Sequence, residues 1–202
     1  MSQEANGQKV DTSKRKFLIA ATSAVGGVAA AGVAVPLVMS MLPSARAKAA
    51  GAPVEVDISK VEPGMLLTVE WRGKPVWVVN RTKEMLDGLS KIDSQLTDPN
   101  SEQPQQPEYC KNATRSIKPE YLVAVGICTH LGCSPSEKLK LGADSGLGAD
   151  WPGGFFCPCH GSRFDLAARV FKNVPAPTNL VIPPHQYLSD TRLLIGVDTK
   201  GA

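Results

Sequence analysis

Apolar positions along this chain change rhythm once, near residue 50. From Phe17 to Leu42 the run FLIAATSAVGGVAAAGVAVPLVMSML carries no charged side chain over 26 residues, more than the roughly 20 that cross a bilayer as a helix. Gly26, Gly27 and Gly32 permit close packing against a neighbouring helix. Pro36 removes one backbone donor and predicts a bend. Residues 43–53, PSARAKAAGAP, lack periodicity and predict a flexible tether. Beyond Pro53 the pattern shortens to that of strands. VEVDI and MLLTVEWRGKPVWVVN cluster β-branched and aromatic residues, with a turn at Arg72-Gly73-Lys74. Thr82 predicts the cap of a short helix through Leu89. Asp93 to Thr114 is polar, holds Pro99, Pro104 and Pro107, and predicts a long surface loop. YLVAVGIC (121–128) is a strand, 139–154 is a Gly-rich loop, and Phe155-Phe156, Phe164, Val170-Phe171, Leu180 to Ile182 and Leu193 to Val197 are further strand candidates. The fold class is therefore all-β, of small sheets with two loops projecting at one end, preceded by one N-terminal transmembrane helix. No internal repeat is visible.

Charge matters locally rather than globally. A formal net charge of +3, with no basic-aromatic stripe, excludes a nucleic-acid partner. Lys14, Arg15 and Lys16 precede the apolar run and hold residues 1–16 on the cytoplasmic side. The domain after residue 53 then lies across the membrane, in the periplasm of a two-membrane bacterium. Ser13 to Leu18, SKRKFL, resembles a twin-arginine export signal with Lys14 in place of the first arginine. Small residues around Ala45-Arg46-Ala47 offer a rival reading as a cleaved signal peptide, but the apolar run is long for a signal-peptide core and favours an uncleaved anchor at 17–42.

The five cysteines fall unevenly: two pairs stand in tight groups with histidines, and Cys110 stands alone. Cys110 is expected to be a free thiol without a role, and His185 an ordinary surface histidine. The groups are Cys128-Thr-His130-Leu-Gly-Cys133 and Cys157-Pro-Cys159-His160-Gly-Ser162. Thiolate and imidazole both suit iron. A C-x-H box and a C-x-x-H box can each supply one cysteine and one histidine, so that Cys128 and Cys157 bind one iron of a [2Fe–2S] cluster and His130 and His160 the other. Neutral imidazoles leave such a cluster less negative and raise its potential from about −400 mV into a range of about −150 to +300 mV. Zinc-finger spacing is not followed. A disulfide-only domain does not need two histidines at ligand spacing. Cys157-Pro-Cys159 is one residue short of a redox CxxC. If Cys128 and Cys157 meet at a cluster, Cys133 and Cys159 are brought together as well, and an exported location allows them to form a disulfide.

CTHLGC followed by CPCHGS resembles the Rieske iron–sulfur subunits of cytochrome bc complexes, the quinol–cytochrome c reductases. WRGKPVWVVNRT, the Pro-Glu-Tyr-Leu strand, the Pro175-Ala176-Pro177 stretch and the N-terminal anchor are similar too. The resemblance implies cluster ligands at Cys128, His130, Cys157 and His160, a disulfide between Cys133 and Cys159, and a hydrogen bond from Ser162 to a bridging sulfide. It also implies a loop at Pro175 and Pro177 shielding the cluster, a docking surface shaped by Leu131, and proton acceptance from quinol by His160. Phe164 stands where the family commonly has a tyrosine that bonds a ligand thiolate, and Val174 where many members have glycine. The implied partners are a cytochrome b, a c-type cytochrome and quinol, ubiquinol above all, in a dimeric complex of the bacterial plasma membrane. The competing reading is the small Rieske subunit of an exported oxidoreductase such as arsenite oxidase, with a molybdenum partner and no quinol site.

Overall fold

The computed structural model describes residues 11–45, 47 and 51–197, and the chain divides into two units between residues 48 and 49. The first contains α1 (Thr12–Ser40), a 29-residue helix whose side chains include none that is buried. At 1.5 Å per residue it is about 43 Å long, enough to span a hydrocarbon core of about 30 Å. It begins earlier than the apolar run does, because the Asp11 carboxylate caps it by accepting from the Ser13 and Lys14 amides at 3.0 and 3.2 Å. Lys14, Arg15 and Lys16 therefore lie within its first turns, and the helix continues through Pro36. The tether expected over 43–53 falls partly on residues 46 and 48–50, which lie outside the described residues, as does the start of the 1–16 segment.

Among the described residues, the second unit is built from nine short strands in three antiparallel sheets. β1 (Val54–Asp57), β9 (Arg192–Ile195) and β8 (His185–Tyr187) form one sheet, in that order. β2 (Leu66–Trp71), β3 (Lys74–Asn80) and β4 (Tyr121–Val125) form the second. β5 (Ser136–Lys138), β6 (Gly154–Phe156) and β7 (Arg163–Phe164) form the third. β3 is apolar on both faces because the second sheet lies between the other two. Val76 and Val78 pack with Val56, Leu193 and Ile195 of the first sheet. Trp77 and Val79 point the opposite way, into a core shared with Phe155 and Phe164 of the third. The β2–β3 turn is Arg72-Gly73, with φ of 53° and 69°. Positive φ at both central residues is the hairpin geometry that matches strand twist. Thr82 caps α2 (Lys83–Gly88) by accepting from the Met85 amide, as expected.

Some expectations are corrected. The polar stretch 93–114 is an irregular, mostly exposed loop as expected, but it carries the end of one 3-10 turn and the whole of another, and Leu96, Asp98, Ser101 and Cys110 in it are buried. Its polarity is consumed internally, since the Asp98 carboxylate accepts from the Glu102 and Gln103 amides and the Asp98 carbonyl from Asn179. Cys110 is accordingly 0% exposed, and burial pushes its thiol up to about 12. His185 is 1% exposed, held in β8 where its backbone amide donates to the Tyr109 hydroxyl and its carbonyl accepts from it. Leu180 to Ile182 is not a strand, although the Val181 carbonyl accepts from the Val125 amide at 2.8 Å.

Candidate metal centre

The two boxes fold as equivalent hairpin loops. The Cys128 amide donates to the Cys133 carbonyl at 2.7 Å, and the Gly132 amide donates to the Cys128 carbonyl at 3.1 Å. In the second box the Cys157 amide donates to the Ser162 carbonyl at 2.8 Å, and the Gly161 amide to the Cys157 carbonyl at 2.9 Å. Gly132 and Gly161 close the two turns at φ of 84° and 79°, where a side chain is disfavoured. The offset makes Cys128 equivalent to Cys157, His130 to Cys159, and Leu131 to His160. Each loop thus contributes one histidine, from different positions.

Cys128 stands three residues beyond β4 and Cys157 directly after β6; both are free thiols, each 2% exposed. Burial pushes the Cys128 thiol up and the adjoining Cys157 sulfur adds to this, while the His130 amide and the Ser162 hydroxyl act in the opposite direction. A cation is what would hold this pair as thiolates. Toward solvent the His130 and His160 rings meet edge to face, with centroids 4.8 Å apart. His160 is exposed and His130 half-buried. Cys133 and Cys159 form a disulfide that joins the two loops. The sulfurs of Cys133, Cys157 and Cys159 lie within 4.8 Å of one another, but the disulfide commits two of them, so that trio is not a ligand set. Two buried thiols and two imidazoles carried on the same pair of loops, the imidazoles in contact with each other, suit the mixed sulfur and nitrogen ligation of a [2Fe–2S] cluster whose irons carry different donors.

Further bonds hold the loops, and sequence reasoning named only part of them. The Ser162 hydroxyl, buried as expected of a group aimed inward, accepts from the Ala176 amide at 3.0 Å. The Thr129 hydroxyl donates to the Thr178 carbonyl at 2.7 Å. The stretch containing Pro175 and Pro177 is thereby fastened to both boxes, and both prolines are exposed at the rim. Leu131, in the first box, is 73% exposed. Phe164 is fully buried in the core that includes Cys128 and Cys157. Behind the loops Trp77 stacks on Phe155 at 4.5 Å between centroids. A Cβ on Gly126, two residues before Cys128, would come within 2.3 Å of Trp77. A lone glycine inside the strand pattern YLVAVGIC was the available signal for that approach. Thr129 and Thr178 carried none.

Comparison with known proteins supplies the family. Residues 53–184 match the Rieske [2Fe-2S] domain, and residues 4–44 match the segment described as "Ubiquitinol-cytochrome C reductase Fe-S subunit TAT signal". The ubiquinol-cytochrome c reductase iron-sulfur subunit of Allochromatium vinosum is 68% identical over 98% of this chain and 95% of its own length. That of Blastochloris viridis is 40% identical over 95% of this chain and 97% of its own. A chain of a hyperthermophilic respiratory Complex III overlays 88% of this chain and 98% of its own, at 28% identity and a TM-score of 0.47, and the assignment rests on the sequence matches. With a matching domain over most of its length, the chain belongs to the Rieske [2Fe–2S] family, among the iron–sulfur subunits of ubiquinol–cytochrome c reductase.

Proposed function

We propose that this chain is the electron-transfer subunit of a quinol–cytochrome c reductase, taking one electron from quinol and passing it to a c-type cytochrome. The observation that carries the reading is the pairing of two buried thiols with two outward imidazoles, in a chain 68% identical to such a subunit. Cys128 and Cys157 would hold one iron and His130 and His160 the other, and the cluster bound there would supply a one-electron acceptor whose potential its neutral ligands raise. The remaining work belongs to the protein. The ring nitrogen of exposed His160 not committed to iron accepts the quinol hydroxyl's hydrogen bond and then its proton. Leu131, Pro175 and Pro177 form an apolar rim around it that excludes water and seats against a cytochrome b surface. Ser162 donates toward the sulfur side of the site, which favours the more negative, reduced state.

The anchor orientation follows from Lys14, Arg15 and Lys16: residues 1–16 stay cytoplasmic, the apolar run over 17–42 crosses the plasma membrane once, and 54–202 is the periplasmic head, joined by the 43–53 tether. The partners are a cytochrome b and a c-type cytochrome in a dimeric membrane complex, with ubiquinol as donor. The test is complementation of membranes that lack the chain. Full-length protein is expected to restore quinol-dependent cytochrome c reduction, and His160→Ser to abolish it. Undiminished activity in His160→Ser would overturn the assignment of proton acceptance.

A further inference from the structure

We propose that Arg115 is a positioning residue for the loop over 169–179, fixing its pose above the two boxes by gripping both sides of the loop's neck. This rests on the cluster-binding reading above. Arg115 lies 42 residues upstream of Cys157 and was singled out by no motif. It is 0% exposed, yet among the described residues it forms no ion pair. All four of its terminal hydrogen bonds go to neutral acceptors. Nη1 donates to the Ala167 and Ala168 carbonyls at 3.2 and 3.0 Å, and Nη2 donates to the Leu180 carbonyl and the Gln106 Oε1, both at 2.9 Å. Ala167 and Ala168 precede the loop and Leu180 follows it, so one guanidinium bridges entry and exit. The same neck is closed by the Leu180 amide donating to the Ala168 carbonyl at 2.9 Å and by the Val170 amide donating to Asn179 Oδ1 at 2.8 Å.

The neck is also strained. Ala168 is a non-glycine residue at φ 59°. Such conformations cost on the order of 1–3 kcal/mol and persist where the surroundings enforce them. Bonds to the carbonyls on either side of its Cα are the enforcement here. At its far end the loop reaches the site through the Ser162–Ala176 and Thr129–Thr178 bonds. A loop pinned at neck and tip keeps the Ser162 hydroxyl and the water-excluding rim in place. Burial lowers the Arg115 pKa to about 10, so the group is still charged at neutral pH. Lysine at this position keeps the charge and loses the planar fork that reaches both strands of the neck.

The experiment uses the full, cluster-loaded chain in detergent, with wild type, Arg115→Lys, Arg115→Met and Gln106→Leu. Amide hydrogen exchange and the midpoint potential are read on each. Arg115→Lys and Arg115→Met are expected to speed exchange at Ala176 and Leu180 at least tenfold and to displace the midpoint, with Leu193 to Ile195 unaffected. Gln106→Leu, which removes one of the four Arg115 acceptors and keeps the three bonds to the neck, is expected to move both less than Arg115→Met does. Adding Ala168→Gly to Arg115→Lys relieves the strain and is expected to restore part of the protection. Wild-type exchange and potential in Arg115→Lys would overturn the proposal, as would equal acceleration in every strand. If Arg115→Lys fails to load, the double variant is measured in its place, and its failure to load as well counts against a role confined to the loop. A wild-type chain without a cluster signal would instead refute the reading on which the proposal rests.

Discussion

Replacing Asp165 by asparagine removes a fully buried carboxylate at the foot of the loop that carries Pro175 and Pro177. Asp165 is fully buried and accepts from the Ala167 amide at 2.9 Å, the Arg169 amide at 2.7 Å, and the Arg169 Nε and Nη2, each at 2.8 Å. Asparagine can keep one oxygen on the two amides. Its NH2 group then faces the Arg169 N–H donors, donor against donor. Breaking a buried pair by removing one partner costs about 3–5 kcal/mol. Arg169 retains Asp93 at 2.9 Å and the Leu89 carbonyl at 2.9 Å, which places the cost at the lower end of that range. At 2–4 °C per kcal/mol for a domain of this size, a loss of about 3 kcal/mol lowers the melting midpoint by roughly 6–12 °C. The assay is thermal unfolding of equally cluster-loaded proteins, followed by circular dichroism, because partial loading would broaden the transition. Asp93→Asn serves as the comparison: half exposed, its pair is worth about 0–1 kcal/mol. A midpoint for Asp165→Asn within about 2 °C of wild type would refute the reasoning that this carboxylate neutralises a buried guanidinium.

Other outcomes follow from the site. Phe164→Tyr is expected to raise the cluster midpoint, since a hydroxyl donor that strengthens by about 1 kcal/mol on reduction moves a one-electron couple by about 40 mV; an unchanged or lower midpoint in a redox titration would count against it. Cys133→Ser removes the disulfide that closes a span of 26 residues. For a loop of that length the loss is about 3.5 kcal/mol, and iron retention during dilution should fall with it; retention equal to wild type would contradict the role of the bridge in holding the boxes together. Cys110 ionises near 9.0 when unfolded and near 12 when folded. The unfolded chain therefore binds fewer protons across that interval, and stability falls as pH rises from about 9 to 12. Cys110→Ala should flatten that slope in unfolding midpoints, and an equally steep slope would place its origin elsewhere.

The strands with strong alternation, the Thr82 cap and the Arg72-Gly73 turn were legible because local chemistry decides them. The two boxes were legible because ligand chemistry fixes residue type and spacing. Residues 93–114 were legible only in part, since the Thr97 hydroxyl donates to the Phe171 carbonyl and the Asn179 side chain to the Asp98 carbonyl, a long-range arrangement that composition cannot register. Cys110 is the free thiol expected but a buried one, and His185 was misplaced because segments remote in sequence, Tyr109 among them, cover it. β5 and β8 are three-residue strands without a distinguishable period. Arg81, Arg115 and Arg169 look like surface charges in the sequence. In the fold each is buried, and their guanidiniums donate to carbonyls at 89, 99, 114, 119, 166, 167, 168 and 180. The exposure of Leu131, Pro175 and Pro177 was within reach only through family resemblance, because exposure of apolar side chains has no signature in a single chain.

The most direct test of the central claim is an EPR-monitored redox titration of the reduced protein in its native membranes. The account predicts a Rieske-type [2Fe–2S] signal with a positive midpoint, perturbed when an inhibitor occupies the quinol site. A signal indifferent to the inhibitor would contradict quinol contact at His160. Absence of the signal, with zinc in place of iron, would contradict the ligand assignment to Cys128, His130, Cys157 and His160.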